Sequence, residues 1–202
     1  MIFVFDNFFS DPYAVRNIAL KSKYKSDSEG RWPGMRGVVE SQKILDHITS
    51  KFRNITKINT VELHPGWNST FQYVTKDYGE GLFHHDDDIE YTSIVYLGLD
   101  VPSDSGTEIC DDVDPWSLIP NHLWYKHLDI KKDFYKDPKK FLKSYKHGRI
   151  SKKINSYFNP IAKIPNKFNR IIFFKGKLAH RAQKYYGTSI ENSRLTMLTF
   201  IK

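Results

Sequence analysis

The chain has 202 residues, 40% of them hydrophobic, a formal net charge of +8 and a single cysteine. That length and apolar content suit one globular domain with a real core, and argue against a disordered chain or a two-domain assembly. The lone Cys110 excludes an internal disulfide and fits a reducing, intracellular compartment, and no apolar run is long enough to span a membrane.

In chain order, MIFVFDNFF reads as a first strand, Ile2 to Phe5, with neither the basic start nor the long apolar stretch of a signal peptide. Asp11-Pro12 then opens a helix running to about Lys21, its apolar stripe made by Tyr13, Val15, Ile18 and Ala19. Ser22 to Glu29 is polar loop. The following RWPGMRGVVE sets Arg31 and Arg36 around a Pro-Gly turn, where a solvated loop is favoured over substrate binding. A second helix is expected from Ser41 to about Phe52, with Ile44, Leu45, Ile48 and Phe52 inward and His47 on the surface. Strands follow over INTVELH and, after the Pro65-Gly66 turn, over WNSTFQYVT, where Trp67, Ser69, Phe71 and Tyr73 alternate onto one face.

The chemistry concentrates in LFHHDDDIEYTSIVYL, Leu82 to Leu97. Side chains two apart on a strand project to the same side, so His84 with Asp86, or His85 with Asp87, can grip one ion. Such a run is more often a solvated turn, unless a third ligand arrives from elsewhere. One does: NRIIFFKGKLAHRAQ reads as a buried strand, a Lys-Gly-Lys turn and a short extended piece delivering His180. Two imidazoles and one carboxylate on a single face form the facial triad that holds Fe(II) with open positions opposite. Fourteen residues beyond His180, Arg194 opens RLTMLTFI and shares a face with Thr196, Leu198 and Phe200, a pairing suited to a small dicarboxylate.

Between these regions, Cys110 ends a strand and has no activating base beside it. From His122 to Pro165 there are twelve Lys or Arg against three Asp, whereas the rest of the chain has nineteen basic against twenty acidic residues, so this segment carries the whole positive excess. Its lysines interleave with Phe134, Tyr135, Phe141 and Tyr145. A solvent-facing lid is favoured over a polyanion-binding surface, because the charges are spread out and Pro138, Pro160 and Pro165 break the segment into short pieces.

The order His-x-Asp, distal His, Arg-x-Thr resembles the Fe(II)/2-oxoglutarate-dependent oxygenase superfamily, and more narrowly the small oxygenases of viral and bacteriophage genomes. VFDNFFSDPYAVRNIAL, RWPGMRG, YTSIVYLGLDVPSDSGT and NRIIFF…LAHRA…ENSRLT share the look of that group, while residues 111–160 match nothing in it. Short strands, two N-terminal helices and ligands at strand ends point to an α+β fold, and the resemblance implies a double-stranded β-helix, or jelly-roll, core with 111–165 as a basic lid-like insertion. It further implies Fe(II) on His84, Asp86 and His180, this register being preferred because Phe83 precedes the first ligand. It also implies 2-oxoglutarate on Arg194, Thr196 and Tyr73, with plain core packing the equal alternative for Tyr73, O2 as the second cosubstrate, and hydroxylation of an unidentified substrate, whether a protein side chain, a nucleic-acid base or a small metabolite, in a host cytoplasm if the chain is viral. Arg181 either contacts cofactor or substrate or is solvated. The alternative is a non-catalytic, cupin-like jelly-roll module engaging nucleic acid or another acidic partner through 122–165.

Overall fold

A computed structural model describes residues 1–27, 31–58, 60–65, 69–111, 117, 119–123, 125 and 146–202, the side chains of 146–150 excepted. The centre of the basic segment, residues 126–145, and Trp67 lie outside the described residues.

Two sheets, every pairing antiparallel, organise the described chain. The larger has seven strands in the order β1 (Ile2–Phe5), β8 (Ile171–Lys175), β5 (Tyr91–Tyr96), β10 (Arg194–Ile201), β4 (Ser69–Val74), β3 (Met35–Val38) and β2 (Lys25–Ser26). The smaller runs β7 (Pro160–Ile164), β6 (Thr107–Cys110) and β9 (His180–Ala182), and an isolated bridge between His84 and His180 lays the metal-motif stretch along its edge. β5 and β10 are buried on both faces, which explains their unbroken runs of apolar and β-branched residues.

Helices α1 (Pro12–Lys21) and α2 (Gln42–Thr56) cover one face of the large sheet. Val15 and Ala19 of α1 and Ile44, Ile48 and Phe52 of α2 join Phe71, Val95, Ile171, Phe173, Leu195 and Met197 of the strands. Fully burying side chains of this size stabilises by roughly 1.5–3 kcal/mol each. Asp11 caps α1 through the Ala14 amide, and α1 is pinned to the sheet by Arg16, whose guanidinium donates to the carbonyls of Leu97 and Glu191 at 2.6 and 2.7 Å. The opposite face of the large sheet, with Ile94, Tyr96, Ile172, Phe174, Leu198 and Phe200, packs against Ile109, Ile164 and Leu178 of the smaller sheet side.

Several expectations change in detail. Tyr13 and Ile18 are exposed, and Val15, Arg16 and Ala19 form the buried side of α1. α2 continues to Thr56, where Lys57 adopts a left-handed conformation and closes the last turn onto Arg53. His47 is partly buried between Phe8 and Phe9, its Nε2 3.1 Å from the Phe8 carbonyl. The described residues of INTVELH form an isolated bridge, Leu63 to Ile201, and not a full strand. Within the insertion expected over 111–165, α3 (Lys146–Asn155) and β7 are described, and Ile154 and Phe158 lie in a core cluster beside Leu82 and Phe83. Net charge groups these residues with the segment before them, and Ile154 and Phe158 are nonetheless buried.

Where β1 ends, Asp6 pairs with Arg170 and Lys167 just before β8, at 2.7 Å to each. The Arg170 contact first, then Lys167, lowers its pKa from 3.8 to about 2. A folded pKa below the unfolded one contributes stability that is present above pH 3.8 and lost as pH falls towards 2. Asp6→Asn is therefore expected to lower stability at pH 6 by under about 1 kcal/mol, since the site is partly exposed, and to make a much smaller difference near pH 2. Urea titrations at the two pH values check this.

Candidate metal centre

His84 reaches its place by local backbone pairing. Its amide donates to the His180 carbonyl at 3.1 Å and the His180 amide donates back at 2.9 Å, which sets the two imidazoles side by side with ring centroids 4.4 Å apart. Asp86 follows on a loop held by the Lys175-Gly176-Lys177 turn: its amide donates to the Gly176 carbonyl, and the Gly176 amide donates to Glu90, both at 3.0 Å. A Cβ on Gly176 would meet the Ile89 carbonyl oxygen at 2.3 Å, so this approach requires glycine. From the other side, Asn155 of α3 clasps the strand: its Nδ2 donates to the Gly81 carbonyl and its Oδ1 accepts from the Phe83 amide. Phe83 stacks on Phe158 with centroids 4.7 Å apart.

The three side chains converge. His180 Nε2 lies 3.4 Å from Asp86 Oδ2, and His84 Nε2 lies 3.9 Å from Asp86 Oδ1. One ligand atom from each of the three fits within a 4.8 Å circle. Two atoms each about 2.1 Å from one ion stand at most about 4.2 Å apart, so a slight closing brings the set to metal-binding distance. In both histidines Nδ1 lies 2.9 Å from the carbonyl two residues earlier, Leu82 or Leu178. Donation there fixes the tautomer that leaves Nε2 as a lone pair aimed at Asp86. The Thr92 hydroxyl donates to Asp86 Oδ2 and orients the carboxylate. His180 is buried, Asp86 intermediate and His84 exposed, so the centre opens outward on one side. His85 and Asp87 also line the opening, but among the described residues they join no such cluster.

Behind the centre lies a cavity of about 460 Å³, walled by residues including Trp32, Arg36, Gln72, Thr92, Ile94, Thr107, Tyr185, Arg194, Leu198 and Phe200. Arg194 is buried, its guanidinium 5.6 Å from the Tyr96 ring centroid. Its bonds to the Ser105 carbonyl and the Thr107 hydroxyl are long, at 3.4 and 3.3 Å, so it is held in place while keeping donor capacity for a ligand.

Tyr73 and Thr196, expected from the sequence beside the cosubstrate, are not among the residues lining this cavity. Tyr73 pairs across the sheet with Leu195, not with Arg194 or Thr196, and therefore faces the helices, where its ring meets Tyr24 at 5.0 Å. The neighbouring Gln72 is the residue of β4 that faces the cavity. Thr196 has the right parity but is fully buried beneath the wall, with its hydroxyl 3.5 Å from the Gln72 carbonyl.

Two residues take on weight that the sequence did not give them. Tyr185 is buried in the cavity wall, where desolvation raises its phenol pKa against the opposing influence of Arg194 and Arg36. Arg36, expected in a solvated loop, lies on β3 and lines the cavity, where burial pulls its pKa down to about 10. Arg181, by contrast, is committed to Glu80 and Glu108 at 2.6 and 2.8 Å and serves as a structural clamp. Cys110 is buried on β6, its thiol pushed up to about 11, as suits an inert residue. Among the described residues no helix is long and apolar enough to cross a membrane.

No protein-family model and no curated protein matches the chain. Solved structures do. HygX from Streptomyces hygroscopicus, with nickel and 2-oxoglutarate bound, aligns over 99% of this chain and 82% of its own, at 11% identity and a TM-score of 0.58. SnoK, a non-heme α-ketoglutarate-dependent carbocyclase from nogalamycin biosynthesis, aligns over 99% and 78%, at 12% identity and a TM-score of 0.58. The viral collagen prolyl hydroxylase vCPH of Paramecium bursaria Chlorella virus-1, as its 2-oxoglutarate complex, aligns over 99% and 94%, at 14% identity and a TM-score of 0.53. At these identities the likeness is one of fold, and the chain is similar in fold to the 2-oxoglutarate-dependent oxygenases.

Proposed function

We propose that the protein is an Fe(II)- and 2-oxoglutarate-dependent oxygenase on a double-stranded β-helix core. The observation that carries this reading is the convergence of His84, Asp86 and His180 at the mouth of a cavity that holds a buried arginine. The donor set is that of a facial triad, with both Nε2 atoms presented by backbone-fixed rings and the carboxylate held by Thr92. Iron bound there would supply the oxygen activation that couples decarboxylation of 2-oxoglutarate to oxidation of a substrate C–H bond.

The chain's own residues divide the remaining work. Arg194 pairs with the far carboxylate of 2-oxoglutarate as a charged donor inside a low-dielectric wall, and Tyr185 adds a hydroxyl in the place first expected of Tyr73. Ile94 and Leu198 keep that end dry, which strengthens both contacts. The overall reaction takes 2-oxoglutarate, O2 and a substrate C–H to succinate, CO2 and the corresponding alcohol.

Turnover of 2-oxoglutarate to succinate in the presence of Fe(II) and air, slow and uncoupled without the true substrate, tests the reading. Absence of succinate above a His180→Ala background contradicts it. Tyr185→Phe is expected to raise the 2-oxoglutarate requirement about threefold to tenfold, the worth of one hydrogen bond, without altering iron affinity. Steady-state kinetics against 2-oxoglutarate and metal titration check the two halves separately.

A further inference from the structure

Four arginines line the cavity. Arg31 meets Asp27 through two contacts at 3.2 Å, Arg181 meets Glu80 and Glu108, and Arg194 is assigned above to the cosubstrate. Arg36 is the fourth. It sits on β3 opposite Gln72, in a row that continues through Thr196 to Tyr96. Its guanidinium lies 4.5 Å from the Trp32 ring centroid and 6.0 Å from that of Phe200. Phe200 is paired with Thr92, the residue that holds Asp86, so Arg36 reaches towards the metal end of the cavity. Arg194 lies instead over Tyr96, against Ser105 and Thr107. The two guanidinia are anchored on different partners in different parts of one cavity.

Stacking engages the face of a guanidinium and leaves its in-plane N–H edge as the surface that recognises carboxylate or phosphate. Burial makes Arg36 a partly desolvated cation, although a pKa of about 10 keeps it charged at neutral pH.

We propose that Arg36 is the recognition group for the molecule to be oxidised, and that this substrate carries an anionic group, a carboxylate or a phosphate, placed beside the metal end of the cavity. The inference rests on the oxygenase reading. A cavity of about 460 Å³ lies in the range of small-molecule sites, so the acid is a small metabolite or an exposed terminal group.

Calorimetry on protein loaded with Mn(II) and saturating 2-oxoglutarate, where no turnover intervenes, tests it with inorganic phosphate and acetate as probes. At least one probe is expected to bind, and Arg36→Gln to weaken that binding at least tenfold while leaving 2-oxoglutarate affinity within about twofold. Arg36→Lys, the milder change, recovers part of the affinity. Tighter phosphate than acetate assigns a phosphoryl group, and the reverse assigns a carboxylate. Binding of neither probe, or equal binding to wild type and Arg36→Gln, overturns the proposal. So does a loss of 2-oxoglutarate affinity in Arg36→Gln matching that of Arg194→Gln, because Arg36 would then serve the cosubstrate. If the Mn(II) protein takes up no 2-oxoglutarate, the oxygenase reading falls, and the same anion titrations on protein with Mn(II) alone still judge Arg36.

Discussion

Alanine in place of His84, Asp86 or His180 is expected to abolish stoichiometric iron binding, whereas His85→Ala and Asp87→Ala keep it close to wild type. The first three contribute the converging atoms; the other two lie beside them without joining the cluster. The loss should exceed the roughly 10- to 100-fold that removal of an outer hydrogen-bond partner costs a metal site. Thr92→Val, which deletes the donor to Asp86 while keeping the shape, should fall in that smaller range. Metal analysis of purified variants, with thermal unfolding of the metal-free proteins as the control for folding, decides the matter. Loss of iron in Asp87→Ala with full retention in Asp86→Ala would transfer the site to the neighbouring register.

The second large effect is at Arg194. Arg194→Ala should weaken 2-oxoglutarate binding by about 2–4 kcal/mol, hence tens- to hundreds-fold, because a desolvated charge-assisted contact is removed from a buried wall. Iron affinity should hardly change, since the partners shown for Arg194 are Ser105, Thr107 and Tyr96 and not His84, Asp86 or His180. Arg194→Lys should recover only part of the loss, because a point charge lacks the planar fork. Equilibrium binding of 2-oxoglutarate to anaerobic protein reads both variants. Equal weakening of iron and 2-oxoglutarate would instead mean that Arg194 supports the fold of the cavity.

The convergence of His84, Asp86 and His180 was legible because its geometry is short-range. His84 and Asp86 are two residues apart, and the strand and Gly turn that deliver His180 are written in IIFFKGKLAH. Tyr73 lies away from the cavity for a reason that is also physical. Alternation shows that Ser69, Phe71 and Tyr73 share a face, but not which face, and pairing with Leu195 puts that face under the helices. Arg36 looked like a loop residue beside Pro33 and Gly34; only its pairing with Gln72 makes it part of a strand. Nothing local marks Tyr185, whose position depends on the path of the chain after β9. Asn155 and Phe158 were hidden in a stretch characterised by charge, yet they hold Phe83 and so the strand that presents His84.

The most direct test of the central claim is an anaerobic titration of the Fe(II) protein with 2-oxoglutarate, followed in the visible range. A weak metal-to-ligand charge-transfer band should grow to saturation at one equivalent, vanish in His180→Ala, and require far more 2-oxoglutarate in Arg194→Ala. Stoichiometric iron binding with no band at any 2-oxoglutarate concentration would contradict the account and leave a metal-bearing module without oxygenase chemistry.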